Sequence, residues 1–136
     1  MRYLAVDLGA KRTGIAVGDD ETRLVSPVEV ITVPHGDLLI QAILKSIERQ
    51  RPGGLVVGLP TNMDGTEAAS AMAVRAFGEA LGQRSGLPVD FQDERLTSYA
   101  ADQRMAQSGR TRKQKKELRD ALAAAEILRD YLDAKR

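Results

Sequence analysis

The sequence predicts an α/β fold, one mixed five-stranded sheet with helices on both faces. Three observations predict it. The first 33 residues hold three short strand-type runs in succession. The remainder alternates helical and strand-type segments. The run Leu55 to Leu59 is apolar throughout, as expected of a strand inside a parallel sheet.

The elements follow in order. Arg2 to Leu8 contains Tyr3, Leu4, Ala5, Val6 and Leu8, a short apolar run suited to a buried strand. Gly9 to Gly14 is a turn with two glycines and two cations, Lys11 and Arg12. Thr13 to Gly18 and Val25 to Val33 follow as strands, and the three can pair as an antiparallel meander. Asp37 can cap a helix reaching Gln50, with Leu38, Ile40, Ile43, Leu44 and Ile47 on its apolar side. Gly53 and Gly54 end that helix, and the strand Leu55 to Leu59 follows. Pro60 to Gly65 reads as a loop, and the alanine-rich stretch Thr66 to Ser85 as a helix stopped by Gly86. Pro88 to Gln92 is the fifth strand. Thr97 or Ser98 caps a helix to Ser108, Arg110 to Lys116 is a basic connector, and a last helix covers about Glu117 to Ala134.

The chain of 136 residues fits one domain, spanning 1–136. There is no cysteine, which excludes disulfides, thiolate metal sites and cysteine nucleophiles. The first residues lack the apolar core of a signal peptide, and no stretch approaches a membrane span of about 18 apolar residues. The expectation is a cytoplasmic protein with no membrane association. Net charge is only +1 but unevenly spread. Arg104 to Arg119 holds seven cations and one acid, a local +6 that leaves −5 for the rest of the chain. A cationic segment on an acidic body points to a polyanionic partner.

Carboxylates occupy three unusual places. Asp7 interrupts an apolar strand, where a carboxylate must be paired, protonated or metal-bound. Asp93 and Glu94 end the fifth strand, and strand alternation lets only one of them face a common site with Asp7. Parity alone does not choose between them. Asp120 shares a helix face with Ala124, Leu128 and Tyr131, so it extends an apolar seam towards the sheet. Clustered carboxylates repel unless a cation joins them. With no thiolate and a single histidine, His35, an all-oxygen site suits Mg²⁺ or Mn²⁺. Two such ions can activate water and stabilise the leaving oxygen in phosphodiester hydrolysis. His35 is read as a loop residue, and Asp64-Gly65 as a turn.

These residues carry a resemblance. Asp7-Leu-Gly-Ala-Lys-Arg-Thr-Gly14, Val57-Gly-Leu-Pro60 with Asp64-Gly65, Asp93-Glu-Arg-Leu-Thr97, and Asp120-Ala-Leu-Ala-Ala-Ala-Glu-Ile-Leu128 with Tyr131-Leu132 resemble the four motifs of the YqgF family. That family is also called RuvX, or Holliday-junction-resolvase-like. The resemblance spans the whole chain. It implies an RNase H-like fold related to RuvC resolvases, with acidic metal ligands and catalytic groups at Asp7, Glu94 and Asp120. It favours Glu94 over Asp93. It also implies a nuclease acting in 5′-end maturation of pre-16S ribosomal RNA, with cleavage of branched DNA for some members. The chain departs from the family at Gly18, where a serine is frequent.

Lys11, Arg12, Arg95, Arg110, Arg112, Lys113, Lys115 and Lys116 are the expected contacts to structured RNA or branched DNA. Resolvases act as dimers on two-fold symmetric junctions, which admits a homodimer, although no stretch of the sequence marks an interface. Two other functions compete. A non-catalytic nucleic-acid-binding factor in transcription or ribosome assembly needs only the basic segment, and the three acids argue against it. An ATP-handling protein of the actin and sugar-kinase type shares the Asp7-Leu-Gly9 pattern but needs two such domains.

Overall fold

The computed structural model describes residues 1–62, 64, 66, 68–94 and 112–135, with 112–119 described as backbone alone. Strands β1 (Arg2–Leu8), β2 (Thr13–Asp19) and β3 (Val25–Ile31) form the expected antiparallel meander. Helix α1 (Asp37–Gln50) leads to β4 (Gly54–Leu59), which pairs parallel with β1. Helix α2 (Ala71–Ser85) leads to β5 (Val89–Asp93), which pairs parallel with β4. Helix α3 (Arg112–Ala134) completes the described elements. The sheet order is β3-β2-β1-β4-β5, so β1 and β4 lie inside it.

Strand alternation sorts the core into two layers. Leu4, Val6, Ile15, Val17, Leu55 and Val57 meet Leu39, Ile40 and Ile43 of α1 and Val74 and Leu81 of α2. Tyr3, Ala5, Ala16 and Val56 meet Ala124, Ile127, Leu128 and Tyr131 of α3 on the other face. The seam read from the sequence on the last helix is therefore the buried one. Gly18 belongs to this second layer: a Cβ there would stand 2.8 Å from Val25 and 2.9 Å from Leu128.

Several expectations are corrected. Helix α1 has Gly36, at φ 120°, in its cap position with no side-chain cap. Asp37 instead opens the first turn and accepts from Arg84 at 2.7 Å and Gln41 at 2.5 Å. The buried arc of α1 runs through Leu39, Ile40, Ile43 and Ser46, which leaves Leu38 exposed. Helix α2 starts at Ala71, not Thr66. Asp64 accepts from the Thr66 amide at 3.0 Å and its hydroxyl at 2.7 Å, and the Asn62 amide donates to the Thr66 carbonyl at 2.7 Å. These polar side chains offer the backbone an alternative to the helix. The Asp64 turn is thus as expected.

Most of the basic connector is not a connector, because Arg112 to Lys116, five of its seven residues, already belong to α3. Lys and Arg are good helix formers, and the apolar face of α3 holds the helix against the sheet. Arg95, Arg110 and the helix expected from Thr97 or Ser98 to Ser108 lie outside the described residues. No described helix is long and apolar enough to cross a membrane.

Candidate active site at the carboxyl ends of the central strands

Asp7 shares the sheet face of Tyr3 and Ala5, the face covered by α3. Its partner across β2 is Gly14. The β1–β4 register, Val6 opposite Val57, brings Gly58 to its other side. Asp7 is thus flanked by two glycines on one face. The space they leave is used. A Cβ on Gly14 would stand 1.9 Å from the Asp120 carbonyl oxygen. A Cβ on Gly58 would stand 2.4 Å from Ile127 Cδ1 and 2.7 Å from Glu94 Oε2. The missing side chains let α3 and Glu94 descend onto the strand that carries Asp7.

Glu94 follows β5 directly, and its amide continues the ladder by donating to the Leu59 carbonyl at 3.3 Å. Its side chain is hydrogen-bonded to Asp7. Burial, then the Asp7 charge, then that hydrogen bond push the Glu94 carboxyl up to about 9. Asp7 is also raised, first by burial; the hydrogen bond from Glu94 opposes this and the charge of Asp120 adds to it. The hydrogen bond favours the neutral form of Glu94 and the ionised form of Asp7, so Glu94 holds the proton and donates it. Asp93, by contrast, accepts from the Thr61 hydroxyl at 2.5 Å. The parity left open by the sequence falls to Glu94 as the neighbour of Asp7.

Asp120 stands at the rim. Arg12 Nε lies 3.0 Å from its Oδ2. Arg12, read from the sequence as a backbone-phosphate contact, is therefore also the counter-charge of an acid in the cluster. Lys11 is exposed beside it in the β1–β2 turn. His35 donates through Nε2 to the Gly9 carbonyl at 2.6 Å and ties the segment before α1 to that turn, in keeping with a loop role. Among the described residues no three His, Asp or Glu side chains form a ready-made metal cage. Asp7 and Glu94 are joined directly, while Asp120 acts on Asp7 through space. Like charges stay apart until a proton or a cation links them. The donor chemistry fits a hard divalent ion, because every candidate ligand is a carboxylate oxygen.

Sequence reasoning named the acids but missed the two glycines that seat them. Gly14 was visible only as part of a turn, and Gly58 only as part of an apolar run.

The RuvX family model, described as Holliday junction resolvase, matches residues 1–134. The chain belongs to the RuvX family. A protein of Anaeromyxobacter sp. named "Putative pre-16S rRNA nuclease" is 40% identical over 135 residues, covering 99% of this chain and 98% of the relative. A namesake from Oenococcus oeni is 37% identical over 138 residues, covering 99% and 96%. Membership of RuvX places the chain among nucleases, a class of hydrolase. Among solved structures, T. thermophilus RuvC in complex with Holliday junction substrate superposes with a TM-score of 0.60 at 18% identity, covering 99% of this chain and 95% of that one. The Fowlpox virus resolvase with Holliday junction DNA gives 0.63 at 11%, covering 99% of both. The fold of this RuvX chain is RNase H-like.

Proposed function

We propose that this RuvX chain is, as a single domain in the cytoplasm, a divalent-metal-dependent endonuclease that hydrolyses phosphodiester bonds in structured nucleic acid. Its main substrate in this reading is the 5′ region of pre-16S ribosomal RNA, with branched DNA such as a Holliday junction as a second one. The observation that carries the reading is the side-chain hydrogen bond between half-buried Asp7 and Glu94, with Asp120 close enough for its charge to act on Asp7. Such a cluster is costly in a fold unless it has work to do.

Asp7, Glu94 and Asp120 would hold Mg²⁺ or Mn²⁺. Bound there, the ion supplies a Lewis acid that makes water nucleophilic at neutral pH and offsets charge on the leaving oxygen. The protein groups do the rest. Asp7, fixed in a central strand, orients the cluster. Glu94 loses its proton as the site fills. Arg12 is released from Asp120 towards a substrate phosphate, beside Lys11. Arg95, Arg110, Arg112, Lys113, Lys115 and Lys116 contribute further backbone contacts in this reading, and a homodimer would present two such sites to a two-fold symmetric junction.

A cleavage panel tests the proposal. Pre-16S leader RNA and four-way DNA junctions are incubated with Mg²⁺ or Mn²⁺ and either the unaltered chain or Asp7→Asn. Cleavage that requires metal and is lost in Asp7→Asn supports it. Binding without metal-dependent cleavage by the unaltered chain would leave a non-catalytic RNA-binding factor as the better reading.

A further inference from the structure

A second feature opens at the same end of the sheet, on the opposite face from α3. A cavity of about 660 Å³ lies between the end of β1, the segment before α1 and helix α2. Glu94 forms part of its wall, so it begins where the acidic cluster stands. The wall on the α2 side is built from Ala73, Ala76 and Ala80 around Phe77, with Ser70 at its end. His35 faces Phe77 with ring centroids 6.3 Å apart, tilted by 45°. Its backbone partner Gly9 completes the floor.

We propose that this cavity receives one unpaired nucleobase next to the phosphate being cut. The inference rests on the nuclease reading above. The geometry favours a base over other occupants. Small side chains leave a slot, and an aromatic ring lines it, the combination on which bases of any sequence stack. The volume is that of a small-molecule pocket, and apolar walls with few polar groups reject a phosphate. Glu94 borders both sites, so a nucleotide whose phosphate lies by Asp7 and Glu94 would turn its base past the carboxyl ends of the strands into the cavity that Phe77 lines. The sugar–phosphate backbone then stays on the α3 side and the base on the α2 side, with Glu94 between them. A base stacked in a duplex cannot enter, so the substrate must have an unpaired or extruded base at the cut. The site would thus select junctions, bulges and single-stranded flanks over uniform duplex.

Two variants separate the cavity from the fold. Ala76 is exposed, so Ala76→Trp fills the slot without touching the core. Phe77→Leu keeps apolar packing and removes the stacking face. The probe is 2-aminopurine, placed in turn at each position around the branch of a DNA junction and in the loop of an RNA hairpin, with binding followed by fluorescence in the absence of divalent metal. The expected result is a fluorescence change at one position, abolished by Ala76→Trp and reduced by Phe77→Leu, with Kd raised on the order of 10-fold. An abasic residue at that position should weaken binding by the unaltered chain to a similar degree and leave Ala76→Trp indifferent. No position-specific change, or the same change and affinity in Ala76→Trp at an unaltered melting temperature, overturns the base pocket. Cleavage by the same preparations with Mn²⁺ reports separately on the nuclease reading: its failure with the fluorescence pattern intact sinks that reading alone.

Discussion

Gly14 of β2 lies directly beneath the Asp120 carbonyl of α3, so close that a methyl group on its Cα would stand 1.9 Å from the oxygen. The obstacle is backbone, so Gly14→Ala must push the start of α3's buried segment away from the sheet. A loss of about 1–3 kcal/mol is expected, the usual cost of forcing extra atoms into a packed contact. Cleavage should fall more than stability, because Asp120 moves with the helix. Denaturant melts and cleavage rates on Gly14→Ala check both; an unchanged midpoint would show that α3 does not rest on this glycine.

Gly58→Ala gives a contrasting result. The obstacles there are the ends of side chains, Ile127 Cδ1 and Glu94 Oε2. Side-chain ends yield more easily than backbone, but Ile127 is fully buried, so the stability loss should lie towards the lower end of about 1–3 kcal/mol. The Glu94 carboxyl is displaced from Asp7 all the same, and activity should drop by at least tenfold. A Gly58→Ala protein with full activity would argue that Glu94 does not need its observed seat.

The shared proton predicts the pH dependence of stability. Glu94 is raised from 4.5 to about 9, so the folded chain holds a proton that the unfolded chain gives up. Stability from this group is fully present below pH 4.5 and is lost as pH rises towards about 9. In the presence of a chelator, the melting temperature of the unaltered chain should therefore decline across that window. Glu94→Gln should flatten the decline. Equal slopes for the two proteins would remove the proton from Glu94.

Filling the site with Mg²⁺ or Mn²⁺ should raise the melting temperature, with about 2.7 kcal/mol expected at a metal concentration one hundred times Kd. Proton release should accompany it, measurable in weakly buffered solution near neutral pH. Arg12→Ala should tighten metal binding by removing a cation that competes for Asp120, while costing no more than about 1 kcal/mol of metal-free stability, as is usual for partly exposed pairs. Weaker metal binding in Arg12→Ala would show that the guanidinium assists the site and does not compete for it.

The start of α3 carries a conflict. Its first turn holds Arg112, Lys113 and Lys115 and no acid, although the amino end of a helix is already electropositive. Replacing Lys113, Lys115 and Lys116 by Ala should raise the melting temperature slightly. The same change should weaken nucleic-acid binding across sequences and lower its log–log salt slope by up to about three units. Unchanged affinity and salt slope would make the segment a solvated face only.

The three-layer arrangement was legible because period-two and helical patterns are local. The continuous run at Leu55 to Leu59 marked an interior strand, and the spacing of Ala124, Leu128 and Tyr131 marked the buried line of α3. The start of α2 was not legible. Residues 66–70 have helix-forming composition, but Thr66 is drawn into the Asp64 turn with Asn62, and the Ala68 amide donates to the Pro60 carbonyl at 3.0 Å. Asp7, the Asp93–Glu94 pair and Asp120 stood out as charges at element ends or on core-facing lines, and the family resemblance favoured Glu94 over Asp93. Their seat did not, because the register that sets Gly14 and Gly58 beside Asp7 joins distant parts of the chain. The cavity at Phe77 was hidden for the same reason: its walls come from separate segments, each unremarkable in sequence.

Asp120 meets Arg12 and the backbone at Gly14, both more than one hundred residues earlier in the chain. Chains are made from the amino end, and the strands that carry Asp7 and Glu94 emerge before α3. Through most of synthesis the hairpin of β1 and β2 waits for a helix that does not yet exist. A growing chain stopped before residue 112 owns two of its three acids and has no α3 to cover them. On the proposed reading, a chain still being synthesised would therefore lack its third acid until its last helix is made.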